Sequence, residues 1–285
     1  MELPSYEDRY VEVDGSRIRY WVEGEGPVVI LVHGLACSAE FWQYNLAPLA
    51  AEHRVYALDL PGFGLSDKEL GEFSLEYASS FLRRFMDALG IERATLVGNS
   101  MGGVLCAQLA MESPQRLDGL ILVGSAGFGR DLTPFLRLWS LPLVGDLVFR
   151  LYQTVFPTLK TWVFSDPNSI GEEWLKGAAA MLRRPGVREN TLKVARVGLN
   201  LHGQREELFR DLHSGLGSVT VPTLIIWGDR DVAVPVSHAY TAQTLIPNSE
   251  LRIMKRCGHT PQVERPEEFN ELVLEFLGSL SPARD

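Results

Sequence analysis

The chain has 285 residues, 46% apolar and 22% charged, an ordinary globular balance that excludes a collagen-like polymer, a coiled coil and a disordered tail. With 27 Lys and Arg against 36 Asp and Glu, it carries a net charge of −9, a field that repels nucleic acid.

In chain order, residues 10–13 and 18–22 alternate apolar and polar side chains around Asp14-Gly15, which predicts a β-hairpin. Residues 27–32 form a continuous β-branched run, as expected of a strand covered on both faces. Apolar residues at helical spacing predict a helix over 39–51. A short strand over 55–60 closes at Pro61-Gly62. Residues 75–89 read as a helix with Phe81, Leu82, Phe85, Met86 and Leu89 on one face, ended by Gly90. A strand over 94–97, a helix over 101–111 and a strand over 120–123 follow. From 128 to 213 the rhythm changes. No strand is expected there, only helices broken by Pro134, Pro142, Pro157, Pro167 and Pro185. Strands return at 223–227 and 251–254, and an amphipathic helix spans 266–277. Such alternation implies an α/β fold: a mostly parallel central sheet with helices on both faces. Residues 1–127 and 214–285 are expected to form the core domain, and 128–213 an inserted α-helical cap.

Apolar runs such as 28–32 and 120–123 are strand-sized, far below the roughly 20 residues of a membrane span. The start, Met-Glu-Leu-Pro-Ser-Tyr-Glu-Asp-Arg, lacks the layout of a secretion signal. Cys37, Cys106 and Cys257 stand alone, without a CxxC pair for a disulfide framework or zinc site. The expectation is a cytoplasmic monomer or homodimer acting on a small molecule.

The sharpest local signal is Gly98-Asn99-Ser100-Met101-Gly102, directly after a predicted strand and before a predicted helix. Glycines two before and two after the serine permit a turn that a Cβ would block. That turn presents the Ser100 hydroxyl at the N-terminus of a helix, where developing negative charge is favoured. A serine nucleophile needs a base. Of the six histidines, His259 lies in the loop beyond the last strand, where active groups gather in such sheets. His53 precedes a strand, His202 and His213 fall in or near the helical block, and His238 falls on a predicted helix. The imidazole needs an acid, and Asp229 and Asp231 both follow the penultimate strand; spacing alone does not choose between them. An oxyanion hole would draw on the backbone N–H of Met101 and on that of Leu35, or Ala36 in reserve, in the loop His33-Gly34-Leu35-Ala36. Cys37 beside that loop reads as a small buried thiol. Asp229 and Asp231 without a neighbouring histidine do not make a metal site, and no cofactor is expected.

The loop at His33-Gly34, the stretch Asp59-Leu60-Pro61-Gly62-Phe63-Gly64-Leu65-Ser66-Asp67, the Gly98–Gly103 turn, Gly228 to Pro235, and Gly258-His259 followed by Glu264-Arg265-Pro266 together resemble the α/β-hydrolase fold family, in family order over nearly the whole chain. The resemblance implies Asp231 rather than Asp229 as the acid, and a helical cap that roofs the pocket. Ser100 sets the chain apart from the haloalkane dehalogenase and epoxide hydrolase branches, which place an aspartate at the turn. Gly-Asn-Ser-Met-Gly-Gly is similar to hydrolases that cleave carbon–carbon bonds in aromatic ring-fission products, but those tend to carry a tryptophan where Thr260 stands. The resemblance therefore implies a serine hydrolase of carboxylic esters with small, mainly apolar groups. A carbon–carbon bond hydrolase of vinylogous diketo acids and a perhydrolase-like relative are the alternatives. Phe128, Phe135, Leu136, Trp139, Leu143, Phe149, Trp162 and Phe164 enrich the cap segment, with Phe128 and Trp139 expected at the substrate pocket. Arg183, Arg184 and Arg188 read as exposed helix arginines.

Overall fold

The computed structural model describes residues 3–67, 74–156, 164–166 and 170–280. β1 (Arg9–Val13) and β2 (Ser16–Glu23) form the expected hairpin. They turn at Asp14 and Gly15, whose φ of 52° and 76° match the twist of the flanking strands. β3 (Val28–Val32) and β4 (Arg54–Leu58) follow. The helix expected over 39–51 is instead a 3-10 turn, Ala39–Trp42, and a short α1, Leu46–Leu49. Pro48 has no N–H to give the Tyr44 carbonyl one turn back, and that carbonyl accepts from the Asn270 side chain instead (3.1 Å).

α2 (Leu75–Ala88) opens with the Ser74 hydroxyl accepting the Tyr77 N–H. β5 (Ala94–Asn99), α3 (Met101–Glu112) and β6 (Leu117–Val123) come next. Among the described residues after β6 lie α4 (Pro134–Leu138), α5 (Val144–Val155), α6 (Glu172–Leu182) and α7 (Val187–Gly198), then β7 (Leu199–Asn200), β8 (Gly203–Gln204) and α8 (Glu206–Leu216). The β7–β8 hairpin corrects the expectation of a strand-free stretch. Two-residue strands leave no period-2 pattern to read, and their turn depends on Gly203 at φ 121°. Pro157, Trp162 and Pro167 lie outside the described residues. The chain ends with β9 (Thr223–Gly228), α9 (Ser237–Leu245), β10 (Ser249–Met254), α10 (Pro261–Glu264) and α11 (Pro266–Ser279). Among the described residues no helix is long and apolar enough to cross a membrane.

Eight strands make one sheet in the order β1-β2-β4-β3-β5-β6-β9-β10, antiparallel up to the β2–β4 pair and parallel beyond it. The two faces explain the unbroken apolar runs. In β3, Ile30 and Val32 pack with Phe81, Phe85 and Leu105 from α2 and α3, while Val29 and Leu31 pack with Trp42, Leu46, Phe269 and Val273 on the other side.

At the carboxyl ends of β3 and β4 the loops are held by charge. The buried Arg19 guanidinium donates to Asp8 (2.7 Å), Glu40 (2.9 Å) and Asp59 (3.1 Å). Asp59 also accepts the backbone N–H groups of Ala39 and Leu65, each at 2.7 Å. Burial, and then the charge of Asp59, push the Glu40 carboxyl above its ordinary range, while Arg19 opposes the rise. Asp59→Ala strips both loops of their common acceptor and unbalances Arg19. It should cost about 3–5 kcal/mol, as breaking a buried ion pair does, read as a lowered urea midpoint.

Candidate active site

β5 enters α3 through a single residue. Ser100 sits at φ 55°, ψ −116°, strained for a side chain with a Cβ. The turn persists because its neighbours over-determine it. The Ser100 N–H donates to Val123 O (2.9 Å), and Ser100 O accepts from Gly103 N–H and Ala126 N–H, both at 3.1 Å. A Cβ at Gly98 would lie 2.4 Å from Gly102 O, and one at Gly102 would lie 2.3 Å from Val32 O. The serine is thereby set over the first turn of α3, whose unpaired N–H groups face it.

Asp231 lies beyond β9 and His259 beyond β10. The His259 Nδ1 donates to Asp231 Oδ2 at 2.8 Å, and the other carboxylate oxygen accepts from Ala233 N–H and Val234 N–H, both at 2.8 Å. With Nδ1 carrying that proton, Nε2 is left as the basic nitrogen. Burial works against the imidazolium. The charge of Asp231, its hydrogen bond and the charge of Glu264 together outweigh burial and hold the His259 pKa above the ordinary value. Asp229, the competing carboxylate, faces the other way, accepting from Cys257 N–H (3.4 Å) and lying 3.9 Å from Lys255.

Asn99 joins the two halves: its side-chain amide donates to Val123 O (3.0 Å) and to His259 O (3.2 Å). The loop after β3 is pinned in a similar way. Leu60 N–H donates to Nε2 of the buried His33 (3.0 Å), so Nδ1 carries the proton and donates to Gly34 O (2.8 Å). Gly34 O also accepts Cys37 N–H (3.2 Å), closing a turn with Ala36 at φ 61°. Among the described residues the Leu35 N–H donates to no protein acceptor, and the Met101 N–H, first in α3, has no carbonyl one turn back.

Ser100, His259, Leu35 and Met101 all open on one cavity of about 390 Å³. Phe41, Leu132, Phe135, Leu136, Trp139 and Tyr152 form much of its wall. Trp139 lines this cavity and packs edge-on to Phe149 at 4.9 Å within an aromatic cluster that includes Tyr152. Phe128 is not at the cavity. It is buried beside the His213 ring, centroids 6.3 Å apart, because the chain leaving β6 turns it under α8 rather than toward Ser100. Cys37 does line the cavity, but burial pushes its thiol up to about 12, so it stays protonated at neutral pH. Arg183 donates to Gln153 O, and Arg188 pairs with Glu189 and Asp146; neither lines the cavity. Tyr152, Asn99 and Glu264 were not singled out by sequence reasoning as site residues: Asn99 and Glu264 stand in the quoted motifs, but Asn99 acts on Val123 and His259 far along the chain, and Glu264 on the nearby Gly258 and Thr260 through a turn that no spacing rule marks.

A family model for the alpha/beta hydrolase fold matches residues 27–266. The chain belongs to that family. It is 33% identical over 271 residues to the dihydrolipoyllysine-residue acetyltransferase component of the acetoin cleaving system of Cupriavidus necator, covering 95% of this chain and 69% of the relative. It is 35% identical over 272 residues to a 2-hydroxy-6-oxo-6-phenylhexa-2,4-dienoate hydrolase of Comamonas testosteroni, covering 91% of each. Among solved structures, an N-acyl homoserine lactone degrading enzyme superposes with a TM-score of 0.74 at 28% identity, covering 94% of this chain and all of that one.

The close packing at the elbow is testable directly. Gly102→Ala forces a Cβ against Val32 O and should destabilise the fold by about 1–3 kcal/mol, measured by chemical denaturation.

Proposed function

We propose that this alpha/beta hydrolase is a serine hydrolase of carboxylic esters whose acyl and alcohol groups are small, mainly apolar and uncharged, with residues 128–213 as the cap over its pocket. The observation that carries the reading is the chemistry of the cavity wall. Ser100 and His259 open onto a space walled largely by aliphatic and aromatic side chains, and among the described residues lining it there is no Lys, Arg, Asp or Glu. A free carboxylate buried in such a wall would lose its hydration with no cation to replace it. A neutral ester asks only for an apolar pocket and a few hydrogen-bond donors at the carbonyl.

The Ser100 hydroxyl attacks the ester carbonyl while His259 Nε2 takes its proton. Asp231 holds the ring in the required tautomer and stabilises the imidazolium that forms. The N–H groups of Leu35 and Met101 receive the oxyanion, aided by the positive end of α3. His259 returns the proton to the departing alcohol, leaving an acyl group on Ser100. Water, activated by the same nitrogen, then releases the acid. Neither metal nor cofactor is required by these steps.

The second reading, carbon–carbon bond hydrolysis of a vinylogous diketo acid, is favoured by the 35% identical dienoate hydrolase. Short p-nitrophenyl esters of graded chain length and a vinylogous diketo acid, offered side by side to wild type and to Ser100→Ala, separate the two. The ester reading expects ester turnover to dominate, and to fall by roughly 10⁴–10⁶ in the variant. Preference for the diketo acid would overturn it.

The imidazole must be neutral to act, so kcat/KM rises with pH through its pKa. In wild type that acid limb should lie above 6.5, the ordinary imidazole value. Asp231→Asn removes the largest opposing influence on burial, moves the limb downward and lowers turnover by about 10⁴. The pH–rate profile of both proteins is the measurement.

A further inference from the structure

Glu264 does not line the cavity, yet its carboxylate is committed to the loop that carries His259. Its Oε2 accepts the Gly258 N–H (3.0 Å) and its Oε1 the Thr260 N–H (3.3 Å), the peptide groups immediately before and after the histidine. The grip is reciprocal, since Glu264 N–H donates to Thr260 O at 2.9 Å. A third donor comes from 99 residues away: the Ser165 N–H, in the segment between β6 and β9, reaches Oε2 at 2.7 Å. Ser165 Oγ then donates to Arg256 O (2.8 Å), at the entrance to the same loop.

The contact has no slack. A Cβ at Gly258 would lie 2.7 Å from Glu264 Oε1 and 3.0 Å from Ser165 N, so the loop, the carboxylate and the cap segment are already in contact. Glu264 is buried, and among the described residues it makes no ion pair; backbone N–H dipoles meet its charge instead. A brace for one loop needs two of these bonds. The third ties that brace to the part of the chain that walls the substrate cavity.

We propose that Glu264 is a positioning residue: it fixes His259 by holding the peptides on both sides of it, and through Ser165 it makes that alignment depend on how the cap is seated. The inference rests on the reading of His259 as the base for Ser100. A cap displaced from Ser165 would leave Oε2 one donor short and free the loop to shift, and a misplacement of about 1 Å at a base costs on the order of 10²-fold in rate.

Glu264→Gln keeps the size of the side chain but removes its charge and turns one oxygen into a donor that faces an N–H group. Ser165→Pro removes the N–H that reaches Glu264 Oε2, and Ser165→Ala, which deletes only the bond to Arg256, is its control. Each is compared with wild type in ester kinetics, in the pH dependence of Ser100 labelling by a fluorophosphonate, and in melting temperature. In Glu264→Gln, kcat and the labelling rate should fall by about 10–100-fold with KM within about twofold. Its acid limb should move to lower pH, because a charge that favours the imidazolium is gone while Asp231, the other charged group facing the ring, stays. Ser165→Pro should lose about 2–5-fold in kcat, the worth of one hydrogen bond, while Ser165→Ala stays closer to wild type. A folded Glu264→Gln whose kcat and labelling rate stay within about twofold of wild type overturns the proposal, whatever its melting temperature. Wild-type kinetics in Ser165→Pro, which lacks the N–H donated to Glu264, overturn the dependence on the cap, and decide the matter if Glu264→Gln does not fold. Failure of the wild-type protein itself to label at Ser100 would instead sink the serine hydrolase reading.

Discussion

The strained backbone at Ser100 is the constraint around which the rest is arranged. Holding a residue with a Cβ at φ 55°, ψ −116° costs of order 1–3 kcal/mol, and no local hydrogen bond recovers all of that. The fold supplies the rest from three neighbouring strands. β5 delivers the residue, β6 accepts its N–H through Val123, and Val32 at the end of β3 presses against Gly102. Any side chain at Gly98 or Gly102 would separate these strand ends from α3, so the turn and the sheet order specify each other.

Around that turn lie loops with no ladder of their own, and buried carboxylates organise them. Asp59 gathers the N–H groups of Ala39 and Leu65, Asp231 those of Ala233 and Val234, and Glu264 those of Gly258, Thr260 and Ser165. Each charge-assisted bond contributes about 1.5–3 kcal/mol net, which offsets the cost of burying the acid only when several act together. Asp59 adds Arg19 and Asp231 adds His259. Glu264 adds neither, and its charge is one of the influences that raise the His259 pKa, after those of Asp231.

How much of this was legible beforehand follows from the range of the interactions. The hairpin at Asp14-Gly15, the doubly covered strands and the Gly98–Gly102 turn are encoded within a few residues, and the sheet contains them. That Ser100 and His259 share a cavity, with Asp231 on His259, follows from their places beyond parallel strand ends. What the pattern could not carry were competitions settled at a distance. The helix over 39–51 fails because Asn270 takes the Tyr44 carbonyl that Pro48 cannot serve. Phe128 and Trp139 look alike in sequence, but only one faces the cavity, because a segment with several aromatic residues on more than one face gives no sign of which face turns inward.

Residues 128–213 show the same logic from the other side. Among those described, several hydrogen bonds tie them to the rest of the chain. The Trp174 indole donates to Glu40 O (2.9 Å) and packs edge-on to Phe41 (5.0 Å), the Asn190 amide donates to Gly62 O (3.0 Å), and the Gln204 side chain accepts the Gly127 N–H (2.7 Å). Glu40 in turn belongs to the Arg19 cluster, Gly62 to the loop after β4, and Gly127 to the chain leaving β6. Each attachment therefore ends on a loop whose other end is fixed close to the cavity. Phe41 itself is part of the wall. A change in how this stretch lies therefore moves loops that border the cavity. The size and shape of the cavity then depend on these hydrogen bonds as much as on the aromatic side chains that wall it.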